Sequence, residues 1–128
     1  MKIFLIDDDP IFLFIGRKII EFNEKASDVQ EFDNVRESLD YLTQNVANLE
    51  LLPDVIFLDL NLPLVDGWAF LEEYKPLIPK IDKKIHLFVL SSSISPHDIA
   101  RAKSLPFVSD FIMKPLTKEG LQHILGKL

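Results

Sequence analysis

Five short apolar runs, separated by segments with helical spacing, are the feature that most constrains how this 128-residue chain can fold. Four of the runs are almost continuously apolar, which is typical of strands buried on both faces of a parallel sheet. The second run, DVQEF, alternates polar and apolar residues, so we expect it at an edge of the sheet. The five runs are residues 2–6, 28–32, 54–58, 85–90 and 110–113.

Each run is followed by apolar residues at helical intervals. Ile11, Ile15 and Ile19 recur every four residues and predict a first helix with these side chains on its apolar face. Asn34 is a typical N-cap residue, and the apolar period after it continues as far as Leu49. These segments predict the first two helices.

Residues that favour helix caps mark three later helices. Asp66, Ser95 and Thr117 each precede a segment with helical spacing, and Pro96 is well suited to a first turn. The last helix is expected to carry on one face Leu121, Ile124, Leu125 and Leu128. Strict alternation of five strands and five helices predicts right-handed crossovers and a three-layer α/β fold. We expect one domain over residues 1–128, with the Pro-rich stretch 75–84 as a connection inside it.

Composition excludes several classes of function. The chain has no cysteine, which rules out disulfides and thiolate metal sites and favours an intracellular setting. Its net charge of −6 argues against binding to a nucleic-acid backbone. The one dense basic stretch, KIDKK at 80–84, is interpreted as a solvated loop before a buried strand. The N-terminal apolar runs are too short for a signal peptide or a membrane span.

Polar side chains cluster where four of the predicted strands end. In open α/β sheets, ligands bind outside the carboxyl ends of the strands. Neighbouring carboxylates there repel one another and need a cation or solvent to offset the cost. The residues at these strand ends are Asp7, Asp8 and Asp9, then Asp59, then Ser91 to Ser93, then Lys114 and Pro115.

The chemistry of these side chains fits phosphoryl transfer. Asp59 is well placed as a nucleophile, and with Asp7 or Asp8 it offers the oxygen ligands that Mg²⁺ prefers. Lys114 supplies a positive charge and Ser91 a hydroxyl donor for the oxygens of a transferred phosphoryl group. Taken singly, each residue also has a purely structural explanation as a cap, a turn residue or a lysine at a strand end.

Four segments, taken together, resemble the receiver domain of two-component response regulators of the single-domain type. They are FLIDDD, DVIFLDLNLPLVDGW, FVLSSS and FIMKP, in the order and at the strand ends that this family has. The resemblance covers the whole chain. It implies a doubly wound, flavodoxin-like (βα)5 fold with a parallel five-stranded sheet of order 2-1-3-4-5.

The resemblance also implies a set of metal-site residues. Asp59 would be the phosphoacceptor and would share a Mg²⁺ site with two of the three consecutive aspartates. Asp8 would bind the ion directly, Asp7 through water, and Asn61 through its backbone carbonyl. Asp9 would instead serve the start of the first helix, where the helix dipole favours a negative charge.

Further roles are implied at the last two strands. Ser91 would turn toward the phosphoryl group and Lys114 would pair with it. Phe111 stands at the aromatic switch position, so Ser91 and Phe111 together form the expected switch. The family places a cis peptide bond between Lys114 and Pro115.

The resemblance implies a signalling role rather than an ordinary enzyme. A sensor histidine kinase or a histidine phosphotransfer protein would supply the phosphoryl group, and the domain would catalyse only its own phosphorylation and dephosphorylation. The face formed by the last helix, strand and helix would then bind an unidentified downstream protein. We expect a cytoplasmic monomer or phosphorylation-dependent dimer that binds neither nucleic acid nor membrane.

Two other readings remain open at this point. A haloacid dehalogenase-like phosphatase also places an Asp-x-Asp motif after its first strand, and Asp7 would then be the nucleophile. That family needs a further acidic pair after its lysine, whereas only Glu119 follows here. Alternatively, a degenerate receiver would keep the fold as a binding module and never become phosphorylated.

Overall fold

A parallel five-stranded sheet forms the centre of the molecule. The computed structural model describes residues 1–26, 28–60, 67–92 and 95–128. The strands pair in the order β2-β1-β3-β4-β5, which confirms the expected topology and the edge position of the polar strand. The last strand begins at Val108, earlier than the predicted 110. The strands are β1 (Lys2–Ile6), β2 (Asp28–Phe32), β3 (Val55–Asp59), β4 (His86–Ser91) and β5 (Val108–Met113).

Five α-helices alternate with the strands in the part of the chain that the structure describes, as predicted. They are α1 (Pro10–Glu21), α2 (Val35–Gln44), α3 (Gly67–Tyr74), α4 (Pro96–Lys103) and α5 (Lys118–Gly126). The expected continuation of α2 to Leu49 is wrong, because Asn45 leaves the helical conformation and Leu49–Leu51 forms a separate 3-10 turn. A second 3-10 helix, Lys75–Lys80, occupies part of the Pro-rich connection. No helix within the described ranges is long and apolar enough to cross a bilayer.

Side-chain caps start four of these helices. Asp9, Asn34, Ser95 and Thr117 each accept a hydrogen bond from a backbone N–H in the first turn of α1, α2, α4 and α5. Such a bond satisfies one of the amides that a helix start leaves unpaired. Three of these caps were predicted as such, and the expected cap Asp66 lies outside the described residues.

The sheet buries side chains on both of its faces along β1, β3 and β4, which explains why these strands are continuous apolar runs in the sequence. In β1, Phe4 and Ile6 belong to one core cluster, with α2 and α3, whereas Ile3 and Leu5 belong to the other, with α1 and α5. Successive side chains of a strand point to opposite faces, so a strand covered on both sides needs apolar residues throughout. The three-layer α/β architecture is therefore confirmed.

The buried face of α1 differs from the predicted one. Leu13, Gly16 and Ile20 face the sheet, whereas Ile11 is 69% exposed and Ile15 is 49% exposed. The helix reads PIFLFIGRKIIE, which is apolar on nearly every side in its first two turns. Periodicity alone cannot select a face in such a segment. In α5, Leu121 and Leu125 are buried as expected, but Leu128 follows the helix and is exposed.

Candidate functional site

Adjacent strands bring the predicted site residues to one edge of the sheet. Ile6 of β1 lies beside Leu58 of β3, so Asp7 and Asp59 follow at neighbouring positions on the two strands. Ser91 ends β4, the next strand along, and its carbonyl accepts a hydrogen bond from the Lys114 backbone N–H at 2.9 Å. The carboxyl ends of β1, β3 and β4 therefore lie together at one edge of the sheet, which we call the rim. Ligand sites of open α/β sheets are expected at this edge.

Lys114 forms an ion pair with both buried carboxylates. Its Nζ lies 2.7 Å from Asp7 Oδ2 and 3.2 Å from Asp59 Oδ2. Asp7 is fully buried and Asp59 is only 3% exposed, which is rare for aspartates without a charged partner. The other oxygen of Asp7, Oδ1, accepts the backbone N–H of Asp9 at 2.9 Å. Each Asp7 oxygen therefore accepts a hydrogen bond, and together these bonds fix the orientation of the carboxylate.

The close carboxylates change the acidity of the site. Burial raises the pKa of Asp7 to about 6, hydrogen bonds from Lys114 and Asp9 oppose the rise, and the negative charge of Asp59 adds to it. Burial alone would lower the pKa of Lys114, but its hydrogen bond to Asp7 and the two carboxylate charges raise it overall. Lys114 therefore stays protonated and one positive charge faces the acidic group.

Asp8 completes an acidic cluster that is suited to a metal ion. One carboxylate oxygen from each of Asp7, Asp8 and Asp59 lies within 4.8 Å of the others. Asp7 and Asp59 are buried and Asp8 is exposed, so the cluster opens toward solvent. Three carboxylates beside one ammonium group leave negative charge to be neutralised, which fits a divalent cation with oxygen ligands. Asn61, the expected fourth ligand, lies outside the described residues.

The two predicted switch residues lie on neighbouring strands. Ser91 is 1% exposed at the end of β4. Phe111 lies on β5, paired in register with Val89, and its half-buried ring packs against the core cluster on the α2 and α3 side of the sheet. The Lys114–Pro115 peptide bond is cis, the conformation that the resemblance implies.

Two residues at the site were not singled out from the sequence. The ring of Phe12 lies 4.2 Å from Lys114 Nζ, a cation–π contact that helps hold the ammonium group over the rim. Gly67 begins α3 against the end of β3, where an added Cβ would lie 2.7 Å from both the Asp59 carbonyl oxygen and the Leu60 Cα. The Asp-Gly pair after a strand was the available signal for Gly67, whereas Phe12 looked like an ordinary helix residue.

Family comparison identifies the class of protein to which this fold and site belong. Residues 3–126 match the family model of the response regulator receiver domain. The chain therefore belongs to the response regulator receiver domain family, whose members are phosphoacceptors in two-component signalling. The family assignment favours neither of the two alternatives, a haloacid dehalogenase-like phosphatase or a degenerate receiver that is not phosphorylated.

Individual relatives agree with the family assignment. A two-component response regulator from Cytophaga hutchinsonii superimposes with a TM-score of 0.88 at 28% identity, over 98% of this chain and 94% of that one. The phosphorylated cyanobacterial phytochrome response regulator RcpA superimposes with a TM-score of 0.77 at 32% sequence identity, over 98% of this chain and 89% of that one.

Curated relatives show how this chain compares with longer proteins. The sensory transduction protein LytR of Staphylococcus epidermidis is 25% identical over 100% of this chain and 46% of that protein. The chain spans about half the length of the first curated relatives that it matches.

Proposed function

We propose that this chain receives a phosphoryl group on Asp59 and, in response, changes a surface that binds another protein. The observation that carries the proposal is the juxtaposition of buried Asp59 with Lys114, at 3.2 Å, inside a cluster of three carboxylates. The structurally similar response regulator RcpA, which is 32% identical in sequence to this chain, was solved in a phosphorylated form. This similarity supports the same modification here.

The chemical step follows from the positions of these groups. A carboxylate oxygen of Asp59 attacks the phosphorus of a phosphohistidine, the P–N bond breaks, and the imidazole nitrogen leaves with the electron pair. Lys114 lies where it can offset charge on the phosphoryl oxygens, and the Ser91 hydroxyl can donate to one of them. Water then attacks the phosphorus of the acyl phosphate, the bond between phosphorus and the Asp59 oxygen breaks, and inorganic phosphate leaves, which returns Asp59 to a carboxylate.

We assign the acidic cluster to Mg²⁺, held by Asp7, Asp8, Asp59 and Asn61. When bound, this ion would neutralise negative charge where the phosphoryl group and the carboxylates meet. The fit rests on the donor set, because hard carboxylate oxygens in an open cluster are the ligands that Mg²⁺ takes beside phosphate. Asp8 is the exposed member and the expected direct ligand.

The phosphodonor would be a sensor histidine kinase or a histidine phosphotransfer protein. Three exposed apolar side chains, Ile11, Phe14 and Ile15, lie in the first half of α1, which begins just after the acidic cluster. A contiguous apolar surface of this kind beside a reactive group suits a transient protein contact. We expect the phosphoryl transfer to take place in the cytoplasm. We also expect residues 1–128 to form one domain.

The output would come from the face formed by α4, β5 and α5. Phosphorylation adds charge at the rim, Ser91 moves toward it, and the space released lets the Phe111 ring repack. Such a change shifts a pre-existing equilibrium between two surfaces rather than creating a new fold. The downstream protein, and any phosphorylation-dependent dimer, would bind the phosphorylated form of this face.

Intact mass measurement after incubation with Mg²⁺ and acetyl phosphate tests the proposal. The wild-type chain and Asp33→Asn, a matched loss of one charge after β2, should gain one phosphoryl group, and Asp59→Asn should gain none. An adduct that survives Asp59→Asn but disappears in Asp7→Asn would favour the phosphatase reading. No adduct on the wild-type chain would favour the non-phosphorylated binding module.

A further inference from the structure

A groove with an apolar floor and a basic rim runs along α3 from its first turn to the connection that precedes β4. It combines a cavity of about 460 Å³ with a smaller one of about 170 Å³ that shares Lys75 and Phe107 with it. We call it the basal groove and define it by Trp68, Lys75, Ile78, Lys84, Arg101 and Phe107. Lys84 precedes β4, whose carboxyl end carries Ser91, so this end of the groove lies at the edge of the sheet opposite Asp59, whereas Trp68 lies next to Gly67 at the Asp59 edge.

The walls of the groove can receive a large apolar side chain. Ile78, Ile85 and Phe107 are each half-buried and line the larger cavity. Tyr74, only 3% exposed, forms part of the floor, and its ring centroid lies 6.0 Å from that of Phe107. Cavities of a few hundred Å³ with mainly apolar walls and a few polar groups are typical of binding sites.

The rim is positive although the chain carries a net charge of −6. Lys75 and Lys84 are exposed, and the Arg101 guanidinium lies 4.0 Å from the centroid of the Trp68 ring. A guanidinium stacked in this way keeps N–H donors in its plane for an anion. Glu72 is the one acidic side chain among the described residues that line the two cavities.

Lys83 has a different role from its neighbour Lys84. Its Nζ lies 3.2 Å from Asp54 Oδ1 and donates to the carbonyls of Leu49 and Leu52 at 3.1 and 2.9 Å. These contacts hold the connection before β4 in place, and the ion pair with Asp54 neutralises the charge of Lys83. The basic stretch 80–84 is therefore more than a solvated loop, because Lys83 anchors it and Lys84 contributes to the rim.

We propose that the basal groove binds an acidic peptide segment of a partner protein that carries a large apolar side chain. The apolar side chain enters the cavity between Ile78 and Phe107, and flanking carboxylates pair with Lys75, Lys84 and Arg101. The two cavities lie side by side, with Lys75 and Phe107 in both linings, which suits an extended segment. The groove is formed in the unmodified chain, so the proposed binding does not require phosphorylation of Asp59.

Amide NMR spectra of the ¹⁵N-labelled chain test this proposal with a defined probe. The probe is acetyl-Asp-Glu-Phe-Leu-Asp-Glu-amide, and the control peptide has lysine at each acidic position. We expect the acidic peptide to shift the amides of Ile78, Ile85 and Phe107, and the basic peptide to leave them in place. Absence of shifts at these residues with the acidic peptide would overturn the proposal.

Charge reversal on the rim provides the second arm of the test. The double variant Lys75→Glu, Lys84→Glu should bind the acidic peptide about tenfold more weakly, which corresponds to ~1.4 kcal/mol. Lys80→Glu, a single charge reversal in the 3-10 helix that contains Lys75 but outside the groove lining, should keep the wild-type affinity. Both variants should still form the acetyl phosphate adduct, which separates this test from that of the proposed function.

Two outcomes of the second arm contradict the proposal. Equal peptide affinity in the wild-type chain and in the double variant would show that the rim does not bind the carboxylates. The second outcome is self-association of the wild-type chain in sedimentation that the double variant loses. A second copy of the chain would then be the occupant, and the peptide segment would be excluded.

Discussion

A single ammonium group organises the acidic rim. Lys114 touches Asp7 and Asp59, lies over the Phe12 ring, and is held by the hydrogen bond from its backbone N–H to Ser91. An unpaired buried carboxylate is costly, so this lysine stabilises the fold as well as serving the proposed chemistry. Its position at the end of β5 could be predicted from the sequence, but its aromatic contact could not.

Lys114→Gln should slow phosphorylation of the chain by acetyl phosphate about a hundredfold, because one charged donor to the phosphoryl oxygens is lost. Initial rates of adduct formation, followed by intact mass, measure this effect. Lys118→Gln changes the next lysine along, which lies over Phe22 rather than at the rim, and should leave the rate unaltered. Equal rates for the wild-type chain and Lys114→Gln would remove Lys114 from the proposed chemistry.

Gly67→Ala should destabilise the chain by about 1–3 kcal/mol, because the added methyl group meets backbone atoms that cannot move aside. In a chain of this length that corresponds to a loss of roughly 3–5 °C in melting temperature per kcal/mol. Thermal unfolding followed by circular dichroism measures it. Gly126→Ala is the control, since a Cβ there meets no atom within 4 Å. Equal melting temperatures for the two variants would contradict the close approach of α3 to β3.

At the scale of elements, α3 and α4 are joined by a side-chain stack. The Arg101 guanidinium of α4 lies over the ring of Trp68 on α3, and Trp68 follows Gly67, which packs against the end of β3. Trp68 is the single tryptophan in the sequence. The fluorescence of Trp68 therefore reports on the contact between α4, which belongs to the proposed output face, and α3, which follows the strand that ends in Asp59.

Arg101→Ala should uncover the Trp68 ring, because the guanidinium that covers one face is removed. We expect a red-shifted emission maximum and faster quenching by acrylamide. Lys103→Ala, an exposed change on the same helix, should leave both quantities unchanged. If Arg101→Ala and Lys103→Ala gave the same quenching rate, the stack would not persist in solution.

For the whole molecule, most of the fold was predictable because β1, β3 and β4 are buried along nearly their whole length and α1, α2, α4 and α5 begin at side-chain caps. The strand order came from family resemblance, since periodicity does not specify which strands are neighbours. The buried face of α1 was mispredicted because Ile11, Phe14 and Ile15 are as apolar as the residues that face the sheet. The end of α2 was also mispredicted, because apolar spacing continues past Asn45 into a separate turn.

The site was predictable to the extent that its chemistry lies at strand ends. Asp7, Asp8, Asp59 and Lys114 come together as expected, because parallel strands deliver their carboxyl ends to one rim. The basal groove was not predictable, because its walls come from separate connections whose proximity is a product of tertiary packing. Only the basic stretch 80–84 was visible in the sequence.

Magnesium should stabilise the whole chain, since an ion that binds only the folded state shifts the unfolding equilibrium. At ten times its dissociation constant the expected gain is about 1.4 kcal/mol. Melting curves with MgCl₂, with KCl at equal ionic strength, and with EDTA measure it. Asp8→Asn should lose most of the magnesium-dependent rise, whereas Asp33→Asn should keep it. An equal rise in both variants would place the ion elsewhere.

Location of the phosphoryl group within the chain tests the central claim most directly. Borohydride reduces an aspartyl phosphate to homoserine, so the phosphorylated chain can be trapped, digested and mapped by peptide mass spectrometry. We predict homoserine at position 59, dependent on Mg²⁺ and on prior incubation with acetyl phosphate. Homoserine at position 7, or a phosphoryl group that resists reduction and maps to another residue type, would contradict Asp59 as the phosphoacceptor.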